Sequence, residues 1–159
     1  MVTATELFAT HDSLVNLLTA HKRAIIDGDL QQIQFTIVEF DCCLNAHSRC
    51  EDELLIPYFV ELNLESNGCT ADLLQKEHVK LRRLSAEARE RSHAPNLELD
   101  IDCRISLFEN LHMLGEVLEH HDQRERAGFL CKFDEKLSDS ELCKLVSLAI
   151  EHERALYQK

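Results

Sequence analysis

Two short stretches carry a histidine and a glutamate four residues apart: His47-Ser48-Arg49-Cys50-Glu51 and His121-Asp122-Gln123-Arg124-Glu125. On a helix that spacing is one turn, with Cβ atoms roughly 5–6 Å apart on one face. An imidazole and a carboxylate so placed can reach one ion. Two further histidines fall on apolar stripes, His11 with Leu14 and Leu18, and His78 with Leu74 and Leu81. His47 and Glu51 interrupt the stripe of Phe40, Leu44, Leu54 and Tyr58, and His121 and Glu125 continue that of Leu111, Leu114 and Leu118. A carboxylate carried into a core is costly unless it is paired or metal-bound. Either His–Glu pair alone could be an ion pair on a half-exposed helix face. For His11, His47, Glu51, His78, His121 and Glu125 together, a shared metal site is the simpler account. Imidazole plus carboxylate suits iron, and zinc or manganese fit the same donors.

Five helical stretches would position these residues. Thr3-x-x-Glu6 is a capping box that opens a first helix ending near Gly28. Asp29 caps a second, running towards Leu64 and kinked or interrupted at Pro57, with Ser66-Asn67-Gly68 as the stop. Thr70 caps a third, to about Ser92, and the stretch from Ser92 to Asp100, with Pro95, is the longest loop. A fourth helix through Leu107, Leu111, Leu114 and Leu118 reaches about Arg126, before Gly128. Ser138-x-x-Glu141 is a second capping box and opens a fifth helix. The pattern predicts an all-α, up-down-up-down four-helix bundle over about residues 4–127. The fifth helix, about 138–158, would pack outside it, within a single domain of residues 1–159. His11 and His47 each lie about 26 Å of helix from the first turn, so they should be level. The second hairpin balances less well, with about 21 Å from His78 to Ser92 against about 32 Å from Asp100 to His121. The loop between them must absorb the difference.

The ordered set of His11, His47 to Glu51, Glu77-His78 and His121 to Glu125 resembles the hemerythrin-like, or HHE cation-binding, domain. The flanks agree. HSRCEDELLIP, from His47 to Pro57, is similar to the family pattern of a histidine, three residues, an acidic run, then an apolar pair and proline. Thr10-His11-Asp12-Ser13-Leu14 and Gln75-Lys76-Glu77-His78-Val79-Lys80-Leu81 also fit, and the resemblance covers about residues 5–130. It implies a non-heme di-iron centre, with the six residues as ligands and Glu51 and Glu125 bridging the two iron ions. The chain departs from the oxygen-carrier pattern at three places. Leu74 stands where a carrier has a fifth histidine, Glu125 follows its histidine by four residues instead of five, and Arg126 replaces an acidic residue. One imidazole fewer leaves an iron an extra open or water-filled position. That favours sensing, redox chemistry or peroxide- or NO-related roles over simple reversible oxygen carriage.

Composition bounds the alternatives. Against 17 Lys+Arg there are 29 Asp+Glu, a net charge of −12 in 159 residues, and such a surface repels phosphate backbones. Nucleic-acid binding is not expected. Apolar runs stay short of membrane-spanning length, and Met1 to Glu6 has neither a basic nor an apolar signal region, so a cytoplasmic protein is expected. The seven cysteines form no C-x-x-C and read as reduced thiols; Cys50, beside Glu51, is either a redox-sensitive thiol near the metal or a residue packed between helices, and the packed reading is favoured because only Arg49 nearby is basic. His21 reads as a hydrogen-bonded interior residue. His93, His112, His120 and His152 read as structural or solvated, with His120 the reserve ligand. Asp52, Glu53 and Glu77 read as solvated, or one of them as an outer partner of a ligand histidine. Three classes follow: a di-iron protein binding or sensing O₂, NO, peroxide or iron status; a di-iron enzyme with oxidase-, peroxidase- or NO-reducing turnover; and a metal-poor interaction module that docks through the fifth helix.

Overall fold

A computed structural model describes residues 4–158 of the chain. Thr3, the first residue of the N-terminal capping box, lies outside that range. A 3-10 turn, Ala4–Leu7, leads into α1, Phe8–Asp27, which ends on Gly28 in the left-handed region at φ 71°. The glycine N–H then reaches back to the Ala24 and Ile25 carbonyls. One residue later the Asp29 carboxylate accepts the Gln32 N–H and starts α2, Leu30–Cys50. The tight reversal makes α1 and α2 an antiparallel hairpin. Thr70 caps α4, Ala71–Ser92, and Asp100 caps α5, Ile101–Asn110, in the same way.

The second helix does not kink at Pro57 itself. A π-turn, Glu51–Leu55, separates α2 from α3, Ile56–Glu61. Proline offers no N–H, and its ring crowds the preceding turn. The helix yields upstream, where the Ile56 N–H bonds the Glu51 carbonyl five residues back. The wide turn therefore begins at one of the candidate ligands.

The fourth helix is also interrupted. After α5 comes a turn at Leu111, then α6, His112–Gly128. The Asn110 side-chain amide also donates to the Ser106 carbonyl, at 2.6 Å. The Leu111 N–H bonds the Phe108 carbonyl, only three residues back. The Arg104 guanidinium ties α5 to α1 at the Ile26 carbonyl. A short helix not expected from the pattern, α7, Leu130–Lys136, follows. Its Leu130 and Phe133, with Phe129, are fully buried, and Phe129 meets Phe59 edge-on at 4.9 Å. The last helix, α8, Asp139–Tyr157, opens on the expected Ser138–Glu141 capping box. It is less peripheral than expected, because Leu142, Leu145, Val146, Ala149 and Leu156 are buried against Ala46, Cys50, Leu55 and Ile56.

The core divides into two apolar clusters, and the polar residues lie between them. On α1 Phe8 belongs to one cluster and Leu14 to the other, with His11 between; on α2 Cys50 and Leu44 flank His47 in the same sense. On α4 Leu74 and Leu81 flank His78, and Leu118 on α6 and Phe129 just after it bracket His121 and Glu125. Four helices thus contribute to one polar layer at one height of the bundle.

Candidate metal centre

All six residues meet in that layer, each 4% exposed or less. They form two donor quartets. His11, His47, Glu51 and Glu125 bring four donor atoms within 4.8 Å of one another, and Glu51, His78, His121 and Glu125 do the same. Glu51 and Glu125 belong to both. Glu125 lies 3.0 Å from His11 Nε2 through one oxygen and 3.1 Å from His121 Nε2 through the other. Glu51 lies 3.6 Å from His47 Nε2 and 3.2 Å from His78 Nε2 by the same division.

The donor atoms are poorly served by one another. Both oxygens of Glu51, both of Glu125, and Nε2 of His11 and of His47 are buried without a hydrogen-bond partner. Six such atoms converging on one spot fit a cation. His78 Nε2 and His121 Nε2 face each other at 3.2 Å. Neighbouring donors on one ion stand at that separation when imidazole bonds are about 2.0–2.1 Å.

The other ring nitrogens point outward to carboxylates. His11 Nδ1 donates to Asp122 at 2.7 Å, His78 Nδ1 to Asp52 at 2.7 Å and His121 Nδ1 to Glu77 at 3.1 Å. An ionised carboxylate only accepts, so Nδ1 carries the proton in all three. In the neutral ring Nε2 is then left bare to ligate. Each carboxylate is braced by an arginine: Arg126 on Asp122, Arg82 on Asp52 and Arg124 on Glu77. These outer carboxylates form a chain between helices. Asp52, just after Glu51, reaches α4; Glu77, just before His78, reaches α6; and Asp122, just after His121, reaches α1.

Electrostatics gives the layer its appetite for positive charge. Burial disfavours charge on His11, but Asp122 and Glu125 outweigh it and raise the ring to about 10. Against the same burial, Asp52, Glu125 and Glu51 raise His78 to about 11, and Glu125 and Glu77 raise His121 to about 9. Full burial would push the Glu125 carboxyl up, yet His121, His11 and His78 hold it well below the ordinary range. The hydrogen bond from His11 holds Asp122 down at about 2. A divalent cation entering the layer therefore displaces protons.

Other readings sort themselves by position. His21 is buried, with Nδ1 3.0 Å from the Thr36 hydroxyl. His93, His112 and His120 are exposed, and His152 pairs with Glu53 at 2.9 Å on the surface. Leu74 is fully buried, one turn before His78. The Cys50 thiol donates to the Ala149 carbonyl, and burial pushes it up to about 12, so it is a packed thiol and not a reactive one. Two residues went unweighed in the sequence, Asp122 and Glu153. Asp122 could have been found by its place beside His121, as Asp52 stands beside Glu51. Glu153, whose carboxylate lies 3.8 Å from His47 Nδ1, comes from α8 and has no such local signal.

Residues 3–133 match the family described as the hemerythrin HHE cation binding domain. No curated protein and no solved structure gives a significant match. Among the described residues, no helix is long and apolar enough to cross a membrane.

Proposed function

Because this chain belongs to the hemerythrin HHE cation-binding family, we propose that its polar layer binds two iron ions and through them binds or senses a small ligand such as O₂, NO or peroxide. His11 and His47 would hold one ion and His78 and His121 the other, with Glu51 and Glu125 within reach of both. The observation that carries the reading is the pair of donor quartets with two carboxylates in common. Iron so held supplies redox chemistry and affinity for diatomic ligands. The chain's own residues supply the rest. Asp122, Asp52 and Glu77 fix the ring orientations, the two apolar clusters exclude bulk water, and Leu74 withholds a donor where a histidine would face the same layer. That favours a site open to an exogenous ligand. The seven unpaired cysteines fit a reducing compartment, which supports a cytoplasmic location.

Anaerobic loading with Fe²⁺ followed by metal analysis tests the reading. Close to two ions per chain are expected, with a near-ultraviolet absorption that changes on admitting O₂ or NO. A content well below one ion per chain would overturn it.

A further inference from the structure

Three of the four histidines have an outer carboxylate supplied from an adjacent bundle helix. By the order of the bundle, His47 should receive its own from α1, beside His11. The neighbours of His11 are Thr10, which is not acidic, and Asp12, which pairs with Arg126 at 3.1 Å. The carboxylate facing His47 Nδ1 is instead Glu153, on α8. That helix lies beyond residue 133, where the family match ends.

Glu153 differs from the other three in kind. It stands 3.8 Å from its ring, where the others stand at 2.7, 2.7 and 3.1 Å. No arginine among the described residues pairs with it. It also lines a groove of about 370 Å³ between the 3-10 turn, α1 and α8, together with Thr10. Its place depends on how α8 sits, and α8 is held on either side of it. The Ala149 carbonyl accepts from Cys50, and the Tyr157 hydroxyl donates to Glu39 at 2.7 Å. Ala46 and Cys50, the residues beside His47 and Glu51, are small and buried, and α8 packs on them.

We infer that Glu153 is a positioning residue for His47, so that α8 completes the His11–His47 half of the centre and its docking is coupled to the ion held there. A helix outside the bundle thereby becomes a handle on one metal position. Whatever displaces α8 weakens that position first, and loading it tightens α8. The inference rests on the two-ion reading above.

The test compares wild type, Glu153→Gln and Glu77→Gln under argon. Fe²⁺ is titrated against a competing chelator, and backbone hydrogen exchange over α8 is followed with and without Fe²⁺. Losing an outer carboxylate costs a metal site about 10–100-fold in affinity. Glu153→Gln should lose that much at one ion and leave the other intact, and iron should protect α8 less than in wild type. Glu77→Gln should weaken one ion by a similar factor while iron still protects α8. If Gln unseats α8 without iron present, Glu153→Asp carries the comparison, with a smaller loss expected. Wild type that takes up two ions with no change in Glu153→Gln or Glu153→Asp, or with no protection of α8, would overturn the coupling alone. Wild type that fails to take up two ions would overturn the two-ion reading beneath it.

Discussion

Sharing two carboxylates between two quartets predicts that metal stabilises the chain in steps. A ligand that binds only the folded state adds about 2.7 kcal/mol at a free concentration of 100 times its Kd. Two ions therefore add about 5 kcal/mol. For a chain of this size each kcal/mol moves the unfolding midpoint by about 2–4 °C, so saturating Fe²⁺ should raise it by about 10–20 °C over the chelated protein. His78 serves only one quartet, and His78→Ala should keep about half the increment. Glu51 serves both, and Glu51→Ala should keep little of it. His120 is exposed, and His120→Ala should behave as wild type. The assay is a calorimetric melt of each variant under argon, with and without chelator, compared as differences so that the packing cost of each substitution drops out. An equal metal increment in His78→Ala and wild type would refute the partition into quartets. An increment that survives Glu51→Ala would refute the bridge.

His21 gives a pH dependence of its own. Burial lowers its ring from 6.5 to about 4, so the folded state binds fewer protons than the unfolded state between those values. Stability is then full above about pH 6.5 and falls by up to about 3 kcal/mol as pH drops towards 4. Urea unfolding at pH 4.5 and 7 should show a smaller difference for His21→Leu than for wild type, and equal differences would count against it. Leu74→His places a donor one turn before His78 and should slow oxidation of the ferrous protein in air; matching rates would mean another residue fills that position. Alkylation followed by mass spectrometry at pH 8 should label the exposed Cys143 well before Cys50, whose buried thiol is pushed up to about 12. Gly128→Ala would bring a methyl 2.8 Å from Cys69 Cβ. It should cost about 1–3 kcal/mol in chemical unfolding, and an unchanged midpoint would mean that the α6 terminus yields freely.

The six residues were legible because helical periodicity is local: a histidine and a glutamate four apart on an apolar stripe must share a face wherever the helix goes. The level placement of His11 and His47 followed from chain length on either side of the two-residue turn at Gly28-Asp29. What lay between helices was harder. Asp52 and Glu77 read as solvated, or one of them as an outer partner of a ligand histidine, because each sits off its own stripe and only the neighbouring helix turns that direction into a contact. Glu153 is 106 residues from His47 in the chain, and nothing near either residue announces the pairing. The backbone departures have the same origin. Pro57 signals a disturbance, but the π-turn falls upstream of it, and the break at Leu111, whose N–H turns to a carbonyl three residues back, has no residue type that marks it. The α7 helix was missed because Phe129, Leu130 and Phe133 span too few residues to show a period.

The polar layer between two apolar clusters also fixes the alignment of the helices. Sliding any one of them by a single turn, about 5.4 Å, would carry an imidazole or a carboxylate into leucine and phenylalanine and bring an apolar side chain among charges. Apolar clusters alone accept such slips cheaply, since one leucine replaces another. Buried polar groups do not, and specifying registry is their best-attested structural use. The same residues that gather a cation thus act as a positional key for the bundle. They admit one vertical setting of four helices, so the donors are already opposite one another when an ion arrives.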